Sequence, residues 1–183
     1  MGEKVRVLEV FDSLEISGGV QNVVMNVLRN IDRSKIQIDF AVYDAPKVDT
    51  YEAEALSLGA KIHKIDNVST LGVFKFYKQM KKLLKENTYD IVHAHNLFHN
   101  GIILLAAKVN GVKVRISHSH QQFDDRNCKF PRNIYVKFFK VLNNIVATKR
   151  VACSNVAAEF LFGKNKKYTF IPNSLDLSRF IIN

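Results

Sequence analysis

The sequence has 183 residues, room for one domain with a substantial core, and its 47% hydrophobic and 24% charged content is ordinary for a globular protein. No apolar run approaches the length that spans a bilayer, and the opening Met1-Gly2-Glu3-Lys4-Val5 lacks the apolar stretch of a signal peptide, which excludes a membrane span and points to a cytoplasmic protein. The net charge of +10 sits late in the chain: residues 1–125 hold 16 Lys/Arg against 15 Asp/Glu, and residues 126–183 hold 11 against 2.

Val5 to Phe11 is a short β-rich run, followed by a polar and glycine stretch from Asp12 to Gly19. A helix follows, with Val20, Val23, Val24, Val27, Leu28 and Ile31 at helical spacing. Ile36 to Tyr43 alternates as a second strand. Tyr51 to Leu58 reads as a short helix closed by Gly59, and Lys61 to Ile65 as a third strand. Val73 to Glu86 is amphipathic, with Val73, Tyr77, Met80 and Leu84 along one face and Lys75, Lys78, Lys82 and Lys85 on the other.

Asp90 to His93 is the fourth strand. Leu97 to Val109 is an apolar helix that stops at Asn110-Gly111, and Val112 to Ser117 is the fifth strand. Arg132 to Ala147 is a helix, Arg150 to Cys153 a strand, Asn155 to Phe162 a helix and Tyr168 to Ile171 the last strand, before Pro172 breaks the pattern. Strands alternating with helices make βαβ units. The expected fold is therefore α/β, a Rossmann-like doubly wound parallel sheet of about seven strands with helices on both faces. Ligands in such folds bind beyond the carboxyl ends of the strands.

The residues at those ends carry the chemistry. After the first strand, Gly18 and Gly19 stand between strand and helix, where a backbone without Cβ can approach a ligand and a helix N-terminus suits a phosphate; a plain tight turn is the alternative. Neither G-x-G-x-x-G nor a P-loop is present, so Asp44 after the second strand has little weight as a ribose contact. After the fourth strand stands His93-Ala94-His95-Asn96, and after the fifth His118-Ser119-His120-Gln121. Histidines two apart in extended chain share a face. Two such pairs suit acid/base or hydrogen-bonding work on a polyhydroxyl ligand better than a metal, because no carboxylate or cysteine accompanies either pair in its own segment. Asp124 and Asp125 read as solvated loop carboxylates with some chance of touching an acceptor.

Together these segments resemble the N-terminal domain of glycosyltransferase family 4. Ser17-Gly18-Gly19-Val20-Gln21 is similar to that family's glycine loop, Asp90-Ile91-Val92-His93-Ala94-His95 to its D-[VI]-[VI]-H-x-H strand, and Arg115-Ile116-Ser117-His118-Ser119-His120 to its fifth strand. Ile171-Pro172-Asn173-Ser174-Leu175-Asp176, with Phe180, resembles the segment that leads into the family's second domain. The closest flavour is that of capsular and exopolysaccharide enzymes.

The resemblance implies the N-terminal half of a GT-B fold, with residues 1–171 as the acceptor-side domain, 172–183 as the start of the linker, and the donor-binding domain absent from the sequence. It implies a retaining glycosyltransferase that moves a sugar from a nucleotide-sugar to a polysaccharide or lipid-linked saccharide, without a metal or cofactor, and a fragment inactive on its own. By analogy His120 is the catalytic candidate, Gly18 and Gly19 approach the donor diphosphate, and His95, Asn96, His118 and Gln121 contact substrate. Gln21 stands where Glu is commoner in the family, and Ser174 where Gly is usual. The alternatives are a GT-B nucleotide-sugar epimerase half and a non-catalytic binding module with a basic face for an anionic ligand.

The helix from Arg132 to Ala147 mixes Lys137 and Lys140 with Tyr135, Phe138 and Phe139, a composition that can lie on an anionic membrane or present a solvated basic face over a core. No recognised nucleic-acid motif accompanies the charge. Cys128 and Cys153 are far apart in sequence and read as buried free thiols in a reducing compartment.

Overall fold

The structure is a computed structural model that describes residues 2–16, 18–43, 49–121 and 129–173. Seven parallel strands form one sheet: β1 (Val5–Phe11), β2 (Ile36–Tyr43), β3 (Ile62–Ile65), β4 (Ile91–Ala94), β5 (Val114–Ser119), β6 (Lys149–Ala152) and β7 (Thr169–Phe170). Their order is β3-β2-β1-β4-β5-β6-β7. The chain winds outward from β1 to β3, then returns to place β4 on the other side of β1. The switch between β1 and β4 is where strand ends diverge and leave a crevice.

The helices are α1 (Gly19–Asn30), α2 (Glu52–Ser57), α3 (Val68–Leu71), α4 (Val73–Glu86), α5 (Asn100–Val109), α6 (Arg132–Val146) and α7 (Asn155–Phe162), with one turn of 3₁₀ helix at Leu97–His99. They form two layers. Val24, Met25 and Leu28 of α1 and Ala55 of α2 pack on Val7, Phe11, Ile38 and Phe40. On the other face, Phe76, Met80 and Leu84 of α4, Ile103 and Ala107 of α5, Phe139 of α6 and Leu161 of α7 pack on Leu8, Val10, Val92 and Ala94.

Side chains alternate along a strand, so Glu9 and His93 point to the α1 side, opposite Leu8, Val10, Val92 and Ala94. The described helices that follow β4 and β5 all pack on the other face. The α1 side of β4 and β5 therefore has no apolar helix over it among the described residues, and polar side chains occupy it.

Several boundaries differ from the sequence reading. β5 runs to Ser119 rather than Ser117, because its pairing with β6 continues through His118 and Ser119. His118 is thus a strand residue with a buried side chain. The sequence pattern gives no sign of α3, a single turn whose Asn67 cap accepts from the Thr70 amide. Gly72, at φ 73°, separates it from α4 in a conformation that favours glycine. The buried face of α4 is rotated toward Phe76 and Leu83, while Val73 and Tyr77 flank the core. Asp44, Asp124, Asp125, Cys128, Ser174 and Asp176 lie outside the described residues.

Helix α6 has two apolar sides. Val136, Phe139 and Val146 are buried, and Gly101 of α5 lies against its backbone. Ile134, Phe138, Val141 and Ile145, spaced three and four apart, form an exposed stripe, with Lys137 exposed beside it. No helix among the described residues is long and apolar enough to cross a membrane.

Candidate functional site

Four imidazoles and one carboxylate meet on the α1 side of the sheet, where β1, β4 and β5 end. Glu9 and His93 are register partners in adjacent strands. His93 Nδ1 lies 3.2 Å from Glu9 Oε1 and 3.1 Å from Oε2, and His95 Nε2 lies 2.7 Å from Oε2. The rings extend the contact to β5: His93 Nε2 is 3.2 Å from His118 Nδ1, and His95 Nδ1 is 2.8 Å from His120 Nε2. His120 Nδ1 is 2.9 Å from the side-chain Oδ1 of Asn173. Glu9, His95 and His118 are buried, while His93 and His120 are partly exposed.

Burial and proximity set the protonation of this cluster. Burial alone would raise the Glu9 carboxyl, but its interaction with His93 and hydrogen bonds to His93 and His95 outweigh that and hold it well below the carboxylate range. Burial pushes His95 down to about 3, helped by the adjacent His93 and opposed by Glu9. Burial likewise pushes His120 down to about 4, against the opposing contact with Asn173. His118 is depressed by burial and by the three neighbouring imidazoles. The rings of His95, His118 and His120 are therefore kept neutral where solvated histidines would begin to charge.

His93, His95 and His118 each bring a nitrogen within 4.8 Å of the others, close enough in principle to share a metal ion. A metal needs lone pairs that converge on one point. The His93–His118 contact instead has hydrogen-bond geometry, between rings whose planes differ by only 3°. Its nitrogens are directed at each other, which is the arrangement of a hydrogen-bonded chain.

A second polar group lies beside it on the same edge. Asn96 Nδ2 donates to Asp12 Oδ1 at 2.5 Å and contacts the Tyr43 hydroxyl at 3.2 Å, and its Oδ1 is buried without a partner among the described residues. Burial raises the Asp12 carboxyl, partly offset by the Asn96 bond. Leu97, at φ 54°, turns the chain sharply just after Asn96. Asn100 then ties the strand ends together. Its buried side chain accepts from the Asn96 amide at 2.6 Å and donates to Ser117 Oγ and the His118 carbonyl.

The glycine loop closes the third side. A Cβ on Gly18 would fall 1.8 Å from Gln21 Oε1, so Gly18 makes room for Gln21, whose Nε2 donates to Ser13 Oγ. A Cβ on Gly19 would meet Asn173 Nδ2 at 3.8 Å, an ordinary contact. Asn173 thus stands between the glycine loop and His120. Gln121 is exposed at the end of β5.

The structure brings His95, His118 and His120 into one cluster, with Asn96 on the adjoining strand end and Gly19 across Asn173. Glu9, Asp12, Tyr43, Asn100 and the linking role of Asn173 do not emerge from motif spacing. For Glu9 the sequence does carry a signal: a carboxylate in the middle of the apolar run Val-Leu-Glu-Val-Phe marks a buried charge that needs partners.

The model of Glycosyltransferase Family 4 matches residues 17–179, which include the glycine loop, both histidine pairs and Asn173. The chain belongs to glycosyltransferase family 4. Over 183 residues this family 4 chain is 33% identical to EpsF of Bacillus subtilis (strain 168), whose name describes a glycosyltransferase, covering 97% of the chain and 47% of EpsF. It is 29% identical to the capsular polysaccharide biosynthesis glycosyltransferase CapH of Staphylococcus aureus, covering 95% of the chain and 48% of CapH. It is 23% identical to an Escherichia coli enzyme named UDP-Gal:α-D-GlcNAc-diphosphoundecaprenol α-1,3-galactosyltransferase, covering 91% of the chain and 44% of that enzyme. The chain spans about half the length of these relatives.

Among solved structures, a UDP-N-acetylglucosamine 2-epimerase superposes with a TM-score of 0.59 at 16% identity, over 90% of this chain and 46% of that one. The lipopolysaccharide outer core galactosyltransferase WaaB superposes with a TM-score of 0.58 at 17% identity, over 89% and 43%. At these identities both likenesses concern the fold alone, and they establish the Rossmann-like half of a GT-B architecture.

Proposed function

We propose that this chain is the acceptor-side half of a retaining glycosyltransferase that moves a sugar from a nucleotide-sugar to a polysaccharide or lipid-linked saccharide acceptor. The observation that carries the reading is the cluster of hydrogen-bonded imidazoles at the switch between β1 and β4, ending at His120 beside the glycine loop. Neutral imidazoles in a partly enclosed crevice can accept or relay hydrogen bonds with sugar hydroxyls, and they add no positive charge that would need a counter-ion. Family membership and the names of the three relatives support sugar transfer over epimerisation.

Residues 1–171 make up the acceptor-side domain in this reading, and 172–183 begin the linker to a donor-binding domain. The diphosphate of the donor approaches Gly18 and Gly19 at the N-terminus of α1, where free amides and the helix dipole favour negative charge. His120 contacts the reacting sugar. His95, His118, Asn96 and Gln121 contact substrate directly or hold those that do. The exposed apolar stripe of α6, with Lys137 beside it, lies against an anionic membrane at the cytoplasmic face and brings a lipid-linked acceptor to the crevice.

The test is transfer of labelled sugar from a panel of nucleotide-sugars to membrane lipid extract by the full-length protein, with His120→Ala run in parallel. Transfer by the wild type, lost in a folded His120→Ala, is the expected result. Conversion of a nucleotide-sugar to its epimer without transfer would overturn the reading in favour of an epimerase.

A further inference from the structure

The hydrogen-bond pattern fixes more than the positions of the four rings. An ionised carboxylate can only accept hydrogen bonds, so both nitrogens that face Glu9, Nδ1 of His93 and Nε2 of His95, carry hydrogen. A neutral imidazole has one N–H, which leaves a lone pair on His93 Nε2 and on His95 Nδ1. Each lone pair faces another ring nitrogen: His118 Nδ1 at 3.2 Å and His120 Nε2 at 2.8 Å. Those two nitrogens must then supply the hydrogen. The remaining nitrogens, His118 Nε2 and His120 Nδ1, are left as lone pairs.

Both outer ends bear on this assignment. His118 Nε2 is buried and has no partner among the described residues, so a bare lone pair there lacks only a donor. His120 Nδ1 faces Asn173 Oδ1 at 2.9 Å. Oxygen and nitrogen of an amide are interchangeable by a half-turn, and the lone pair on Nδ1 requires the orientation that presents the NH₂ to it.

We propose that Glu9 is a positioning residue that orders the tautomers of His93, His95, His118 and His120, so that the network ends in hydrogen-bond acceptors at His118 Nε2 and His120 Nδ1. The order runs outward along two branches, Glu9–His93–His118 and Glu9–His95–His120. The chemistry it selects follows from the ends. His118 Nε2 is buried, so the end that a ligand can reach is His120 Nδ1, where it would take the place of the exposed Asn173. A hydroxyl can donate there, whereas a phosphate or carboxylate oxygen would meet lone pair with lone pair. Resting on the sugar-transfer reading, the ligand group at His120 Nδ1 is therefore a sugar hydroxyl, and the donor's diphosphate lies away from it.

The experiment is ¹⁵N NMR of the intact protein labelled at histidine, recorded about 1.5 pH units above the ordinary histidine value so that solvated imidazoles are neutral, for the wild type and Glu9→Gln. In the wild type the expected hydrogens are on Nδ1 of His93 and His118 and on Nε2 of His95 and His120. Glutamine offers one acceptor and one donor in the same shape. Where the amide nitrogen takes the Oε2 position it meets His95, which turns a lone pair to it, and that branch inverts to make His120 Nδ1 an N–H; where the amide oxygen takes that position it accepts from both rings and the order stands. Any of the four rings in the opposite tautomer in the wild type overturns the proposal, and that arm needs no variant to fold. Glu9→Leu removes the acceptor from both branches, and a spectrum of that variant with all four tautomers as in the wild type also overturns it. Because the measurement uses no sugar donor, its failure leaves sugar transfer standing, and a protein with ordered tautomers but no transfer faults only the functional reading.

Discussion

Glu9 of β1 and His93 of β4 stand opposite each other in adjacent parallel strands, and the carboxylate of one lies within 3.2 Å of Nδ1 of the other. Glu9 also serves His95, at 2.7 Å, so one buried side chain satisfies two imidazoles. Glu9→Ala removes the acceptor from both and leaves buried N–H groups without partners. The cost of such groups is about 1–3 kcal/mol each. Urea unfolding is expected to show a loss of stability in that range or above it, with a smaller loss for Glu9→Gln, which keeps the shape and one acceptor. A midpoint unchanged by Glu9→Ala would mean that the cluster contributes nothing to the fold.

Acid should weaken the fold through the same cluster. His95 and His120 titrate at about 3 and about 4 in the folded chain, against about 6.5 when unfolded. Between those values the unfolded chain binds more protons, so falling pH favours unfolding. The contribution of both histidines is complete above the unfolded value and is lost as pH drops toward the folded ones. The depressed carboxyl of Glu9 acts in the same direction lower down: its contribution is present above its unfolded value and is lost as pH falls through its folded one. The urea midpoint should therefore hold steady above roughly pH 7 and fall from roughly pH 6.5 to 4. His95→Asn should flatten that fall, and an equal slope in the variant would move its cause elsewhere in the chain.

Much of this was legible in the sequence, and the rest was hidden for physical reasons. β2 appears where its alternation predicts it, Ile36 to Tyr43, because a strand buried in the sheet leaves a clear pattern. The histidine pairs announce the crevice, since two residues apart in extended chain means one face. The true end of β5 was hidden, because pairing with β6 carries the strand through His118 and Ser119, and pairing is not local information. The partners of Glu9, and the site roles of Asn100 and Asn173, were hidden for the same reason. Each acts through a partner far away in sequence, as Asn173 does on His120 across 53 positions.

His120 is held on both sides, by His95 Nδ1 and by Asn173. With full-length protein, His120→Ala should lower turnover by about 10²-fold or more, the range for a positioned acid/base or hydrogen-bonding group. Asn173→Ala removes one neutral hydrogen bond at an exposed residue. It should lower turnover about fivefold, from about 1 kcal/mol, with no change in unfolding midpoint. If Asn173→Ala matched His120→Ala in severity, Asn173 would itself touch the reacting groups.

Two glycines separate cheap strain from costly strain. A Cβ on Gly101 would lie 2.8 Å from the Phe139 carbonyl and 3.0 Å from the Asn143 nitrogen, both backbone atoms of α6. A Cβ on Gly18 would strike the far end of the Gln21 side chain. Backbone must move as a helix, whereas a glutamine can change rotamer. Gly101→Ala is expected to cost about 1–3 kcal/mol as overpacking between α5 and α6. Gly18→Ala should cost less, and Gln21→Ala in the same protein should cancel it in a double-mutant cycle. Additive effects of the two changes would show that Gly18 is small for another reason.

The exposed stripe of α6 makes the last expectation. Ile134, Phe138, Val141 and Ile145 are exposed, and of the two replaced residues Phe138 loses an edge contact with the Phe139 ring, so Phe138→Ser with Ile145→Ser should lower the unfolding midpoint only slightly. If the stripe enters a membrane, each lost side chain forfeits about 1.5–3 kcal/mol of burial, which is tenfold or more in vesicle affinity. Lys137 and the other late basic residues add attraction to anionic lipid that salt screens. Sedimentation with vesicles of mixed anionic and neutral lipid should therefore show binding that weakens both with salt and in the double variant. Binding to neutral vesicles at equal strength, or a double variant that sediments like the wild type, would remove α6 from the membrane and leave its stripe to another partner.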